Sequence, residues 1–144
     1  MPAEISSLSA CSRWKAISSS NSALKHNWIT AIIHRGNGYF VGTYGAGVMR
    51  FDDAAGLQSG WQTFDDLRGP LDINTNAMVS TPSAVYAGTL DRGLAIYNSS
   101  TERWSFFTSG LPSKNVTALE ARAGIIYIGT DNGLVKVPEA SILR

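Results

Sequence analysis

Residues 124–137 read Gly-Ile-Ile-Tyr-Ile-Gly-Thr-Asp-Asn-Gly-Leu-Val-Lys-Val, and the pattern recurs twice earlier in the 144-residue chain. Tyr39-Phe40-Val41-Gly42-Thr43 and Val85-Tyr86-Ala87-Gly88-Thr89 align with Ile126-Tyr127-Ile128-Gly129-Thr130. Each is followed by a Gly-hydrophobic step: Gly47-Val48, Gly93-Leu94 and Gly133-Leu134. Four residues beyond those glycines stand Phe51, Tyr97 and Val137; eleven before each Gly-Thr glycine stand Ala31, Ala77 and Ala118. Trp14, Trp61 and Trp104 open the units, 47 and 43 residues apart. Self-similarity at this period is the signature of a repeat architecture.

Inside a unit the pattern is β throughout. Ile29 to His34, Tyr39 to Thr43, Gly47 to Phe51 and Trp61 to Phe64 are short runs rich in β-branched and aromatic residues. The second unit offers Asn76 to Ser80, Val85 to Thr89, Gly93 to Tyr97 and Trp104 to Phe107. Turn-forming stretches such as Arg35-Gly36-Asn37-Gly38 separate the runs. No stretch sustains a 3.6-residue apolar period, so almost no helix is expected. Four short strands per repeat make a β-propeller blade. The second strands are apolar at successive positions, as in Ile125-Ile126-Tyr127-Ile128, which suits a sheet covered on both faces. The recurring glycine then marks close approach of a neighbouring backbone. Asp91-Arg92-Gly93 and Asp131-Asn132-Gly133 read as tight hairpins.

Asn115-Val116-Thr117-Ala118-Leu119 followed by residues 124–137 resembles the two-component regulator propeller repeat, whose unit reads Asn-x-Val-x-Ala-Leu, a turn, then Leu-Trp-Ile-Gly-Thr-x-x-Gly-Gly-Leu. Tyr127, Phe40 and Tyr86 stand where that family usually has tryptophan. The resemblance covers nearly all of residues 14–137. It implies a propeller blade of the kind found in extracytoplasmic sensor regions of hybrid histidine kinases.

Composition narrows the classes. Charged residues make up 16% and the formal net charge is +1, against the basic stripe of a polyanion binder. A content of 44% hydrophobic residues argues against disorder. No apolar run approaches the roughly 20 residues of a membrane helix. A single cysteine excludes an internal disulfide framework. Leu8-Ser9-Ala10-Cys11 looks like a lipobox, but Met1 to Ser7 carries Glu4 and no apolar stretch. Cys11 therefore reads as an ordinary thiol in an N-terminal tail, residues 1–13, and the chain as written reads as cytoplasmic.

Repeat phase suggests an assembly. The units run 14–60, 61–103 and 104–144, and Ser12 to Ile17 around Trp14 reads as a fourth strand with no first three before it. The last unit has three strands and lacks the fourth. Three blades do not close a ring, because closed propellers typically have 4–8. The expectation is a homodimer closing a six-bladed ring, the Trp14 strand completing the last blade of the partner. The alternative is a piece of a longer propeller.

Chemistry is sparse. His26 and His34 sit at opposite ends of the first strand, a poor arrangement for a metal. No phosphate loop, nucleophile elbow or paired-histidine motif occurs, so no cofactor and no metal are expected. Asp52-Asp53 and Asp65-Asp66 read as acidic turns before calcium ligands. In propellers generally, one face is built from the loop leading into the first strand and the turn between the second and third. Those segments hold the ligand-binding candidates His26, Trp28, Tyr44, Asn74, Asp91, Arg92, Asn115, Asp131 and Asn132. Trp28 and Tyr44 suit stacking on a sugar or an apolar partner. Asp91, Asp131 and Asn132 also satisfy what a tight turn requires on its own. The reading is a non-catalytic ligand-binding or scaffold propeller, the ligand possibly a saccharide. The alternatives are a metal-dependent propeller lyase or hydrolase and a pure protein-interaction platform.

Overall fold

The computed structural model describes residues 14–56, 58–67 and 69–143. The tail 1–13, and with it Cys11, lies outside the described residues. The chain is all-β, with a curled antiparallel sheet and a second, smaller sheet. β1 (Ile29–Arg35), β2 (Gly38–Gly45), β3 (Val48–Phe51) and β4 (Trp61–Gln62) form a first meander. β5 (Leu71–Ser80), β6 (Ala84–Thr89), β7 (Leu94–Asn98) and β8 (Arg103–Phe107) form a second. The pairs Tyr44↔Asp72 and Gly45↔Leu71 join the two into one eight-stranded sheet. β9 (Val116–Arg122), β10 (Ile125–Thr130) and β11 (Gly133–Pro138) make the three-stranded sheet, followed by the short helix α1 (Glu139–Ile142).

The strand expectations need two corrections. β4 stops at Gln62 because Phe64 turns inward, its ring 5.9 Å from Phe40 and 5.6 Å from Trp104. β5 begins at Leu71 rather than Asn76, with a register shift between Ile73 and Met78 and a positive φ of 58° at Asn76. The segment around Trp14, expected to pair with another copy, forms no strand over residues 14–17 within the single chain, and Trp14 is 80% exposed. A strand needs a ladder partner, and none of the described strands pairs with this segment.

Two cores lie between the meanders. The first packs Phe40, Val48 and Ala31 against Ile73, Met78, Val85 and Tyr97. The second packs Tyr86, Leu94 and Ile96 against Val116, Ile126 and Ile128. The sandwiched second meander is therefore apolar on both faces, and every residue of β6 is buried. Close approach explains two of the repeated glycines. A Cβ at Gly42 would stand 2.9 Å from the Ile73 side chain, and one at Gly88 would stand 2.5 Å from the Val116 carbonyl. The threonine after each glycine ties the next turn. Thr43 Oγ1 donates to Gly47 O at 2.8 Å and accepts from Ala46 N; Thr89 and Thr130 repeat the arrangement.

Candidate functional site

The loops before β1, β5 and β9 and the turns β2–β3, β6–β7 and β10–β11 gather at one end of the fold. Backbone hydrogen bonds assemble that end in a repeated way. Within a meander the turn donates to its own leading loop: Tyr44 N to Trp28 O at 2.9 Å, Leu90 N to Asp72 O at 3.0 Å, Asp131 N to Asn115 O at 3.3 Å. Between meanders, Gly47 N donates to Leu71 O at 2.8 Å and Gly93 N to Lys114 O at 2.9 Å. These bonds satisfy loop amides that would otherwise face the packed interior.

The candidates divide into two groups here. His26, Trp28 and Tyr44 come together. The Trp28 and Tyr44 rings lie 4.8 Å apart, tilted by 41°, and His26 Nδ1 accepts from Trp28 N at 3.2 Å. The imidazole lies over Gly45, where a Cβ would stand 2.9 Å from His26 Nε2 and where the φ of 127° itself favours glycine. Trp28 remains 61% exposed. His34 stands at the far end of β1, beside Tyr39 with rings 5.2 Å apart, so the histidines are separated.

Asn74, Asn115 and Asp131 form the second group, a hydrogen-bonded line. Asn74 Nδ2 reaches Val116 O at 2.6 Å, Asn115 Oδ1 at 2.9 Å and Thr89 O at 3.2 Å. Asn115 Nδ2 donates to Asp131 Oδ2 at 3.2 Å. The Ser113 hydroxyl first, and the Asn115 amide second, hold the Asp131 carboxyl below the ordinary carboxylate value. Asn74 is thus committed to stitching the second and third meanders. Arg92 leaves this line and lays its guanidinium 4.3 Å over the Phe106 ring. Asp91 is exposed at its turn, and Asn132 donates from its amide to Pro112 O at 3.4 Å.

Sequence reasoning missed a polar cluster at the opposite end. Glu139 Oε2 accepts from both Tyr86 Oη and Thr81 Oγ1 at 2.6 Å. Arg35 holds the same 81–84 turn from the other side, donating to Thr81 O at 2.5 Å and Pro82 O at 3.0 Å. Tyr86, standing where the resembled repeat usually has tryptophan, was the available signal, since a buried phenol requires an acceptor. A cleft of about 380 Å³ lies elsewhere, between Gln62–Asp66 and Glu102–Arg103. Its Asp66 carboxylate is engaged by the Trp104 amide at 2.7 Å. Asp52 caps the Asp53–Ala55 turn by accepting from Ala54 N. Both acidic pairs therefore include a turn- or strand-holding carboxylate. Among the described residues no three His, Cys, Asp or Glu side chains group to hold a metal ion. No helix among them is long and apolar enough to cross a membrane.

Solved structures share this architecture. The chain superposes on the extracellular domain of BT3049 from B. thetaiotaomicron, described as a hybrid two-component system, with a TM-score of 0.65 at 16% identity. The match covers 86% of this chain and 18% of that one. PorZ, a surface component of the type-IX secretion system of Porphyromonas gingivalis, matches at 0.61 and 21% identity over 85% of this chain and 19% of its own. The computationally designed Ika4 protein matches at 0.60 and 17%, over 81% of this chain and 69% of its own. The fold is β-propeller-like. The chain spans less than a fifth of the two natural proteins. No family model matches the sequence, and no curated protein does either.

Proposed function

We propose that the chain forms three blades of a β-propeller, and that the end carrying Trp28 and Tyr44 binds a ligand without transforming it. The observation that carries this reading is the Trp28 ring, broadly exposed yet held against Tyr44. An aromatic platform already held in place loses little side-chain freedom on binding. A saccharide suits it, with an apolar sugar face on the indole and hydroxyls on the neighbouring polar side chains. Asp91, Asn115, Asp131 and Asn132 offer such groups at the same end, while Asn74 orders Asn115. The likeness to an extracellular domain of a hybrid two-component system supports a sensor-type role. A second copy completes the ring at six blades, its third blade receiving this chain's Trp14 segment as a fourth strand.

A glycan array with a metal-supplemented control tests the ligand. Sugar binding that Trp28→Ala abolishes, with the fold retained, is the expected result. Metal-dependent turnover would overturn it in favour of a lyase or hydrolase, and silence on every glycan would favour a protein-interaction platform.

A further inference from the structure

Both ends of the three-meander array expose faces built like its two internal interfaces. In the first core, Phe64 and Leu67 lead into the second meander and pack across the boundary. In the second core, Phe107 and Leu111 do the same before the third. Ahead of the first meander stand Ile17, three residues after Trp14 as Phe64 follows Trp61, and Leu24. These two line an apolar groove of about 270 Å³ with Ile32, Tyr39, Val41 and Trp61. One wall of an interface is in place and the opposite wall is open; Ile32 is 62% exposed.

The open face of the third meander carries the complementary half. Val48 and Leu94 are buried against the following meander, whereas their repeat equivalent Leu134 is 69% exposed. A Cβ at Gly129 would meet only Ala118 of its own hairpin, although Gly42 and Gly88 are each closed by a neighbour.

Polar groups select the occupant. Tyr86 and Thr81 of the second meander donate to Glu139, which begins α1. Their equivalents in the third meander are Tyr127 and Arg122, and the equivalent of Glu139 in the first meander is Asp53. Asp53 likewise begins a short helical turn and is exposed. Between the first and second meanders Phe40 has no hydroxyl, and Ser99 stands at the acid's position. Arg122 is also the equivalent of Arg35, which clamps the facing 81–84 turn. The turn equivalent to 81–84 in the first meander is 35–38. Another copy of this chain carries acceptors for Arg122 and Tyr127 at these positions, with the charges of Arg122 and Asp53 opposed.

We infer that a second copy seats its third meander on the open face of the first, Leu134 entering the Ile32–Tyr39–Trp61 groove and Arg122 and Tyr127 converging on Asp53. The inference rests on the two-chain ring proposed above and gives it a register. Phe51 pairs with Trp61 and Tyr97 with Trp104, so Val137 pairs with Trp14 of the other copy.

Light scattering of the full chain tests it, read beside circular dichroism. The expected mass is twice 15.4 kDa. Leu134→Asp and Asp53→Arg, at exposed positions, each weaken association at least about tenfold with the spectrum unchanged. Combining Asp53→Arg with Arg122→Asp restores the dimer. A single-chain mass for the unmutated protein overturns both the ring and this contact. A dimer indifferent to Leu134→Asp and Asp53→Arg overturns the contact alone and leaves a two-chain assembly standing.

Discussion

Tyr86 Oη donates a 2.6 Å hydrogen bond to Glu139 Oε2, so a fully buried phenol of the second meander is closed by a carboxylate of the third. The same oxygen accepts from Thr81, and Arg35 of the first meander grips the adjoining turn. One turn thereby gathers contacts from all three meanders.

Burial first, and then the Glu139 hydrogen bond and charge, push the Tyr86 phenol well above its ordinary 10.0. The folded chain holds this proton more tightly than the unfolded one. The associated stability is complete below pH 10.0 and declines as the pH rises beyond it. Urea midpoints measured from about pH 8 to about pH 11 should fall steeply at the alkaline end. Tyr86→Phe should flatten that fall, at a cost of about 1 kcal/mol near neutrality for the lost bond.

Asn74→Ala removes the amide that serves Val116 O, Asn115 Oδ1 and Thr89 O. The expected loss is about 2 kcal/mol in chemical denaturation, because partly buried acceptors are left unpaired. Asn74→Asp should be at least as damaging, since it presents an acceptor to acceptors. A loss below about 0.5 kcal/mol would mean that the line is decorative.

Gly88→Ala forces a methyl to within 2.5 Å of the Val116 carbonyl, and the third meander must shift. A loss of about 1–3 kcal/mol is expected. Gly129→Ala meets only Ala118 Cβ at 3.2 Å within its own hairpin. Thermal melts of the two variants, at a concentration low enough to keep the chains single, should therefore separate clearly, with Gly129→Ala nearer to the parent chain.

Asp131 should titrate below 3.8, held there chiefly by Ser113 and then by Asn115. Its contribution is present above that ordinary value and is lost as the pH falls through the lowered one. Carboxyl NMR titration should return Asp131 toward 3.8 in Ser113→Ala. An unchanged midpoint would assign the lowering elsewhere.

The repeat was readable because its landmarks obey local rules. Gly93 and Gly133 take the positive φ that tight turns ask for, and Gly42 and Gly88 stand where a neighbour's atoms press. The role of Thr43 and Thr89 was not readable, since a hydroxyl closing a turn looks like an ordinary strand threonine. Of the candidate residues, Trp28 and Tyr44 met as a pair, while Asn74 is taken up by packing. Arg92 turned to Phe106 because its aliphatic stem and flat charge gain more on a ring than in water.

The sequence by itself determined the β character, the unit length and the apolar second strands, because strand periodicity and turn chemistry act over a few residues. Tertiary structure alone decided which side chains are spent on holding meanders together and which stay exposed. Glu139, Arg35 and Asn74 reach partners 53, 46 and 42 residues away, and such distances have no signature in local pattern. The same packing left Trp28 and Leu134 exposed at equivalents of buried or bonded positions.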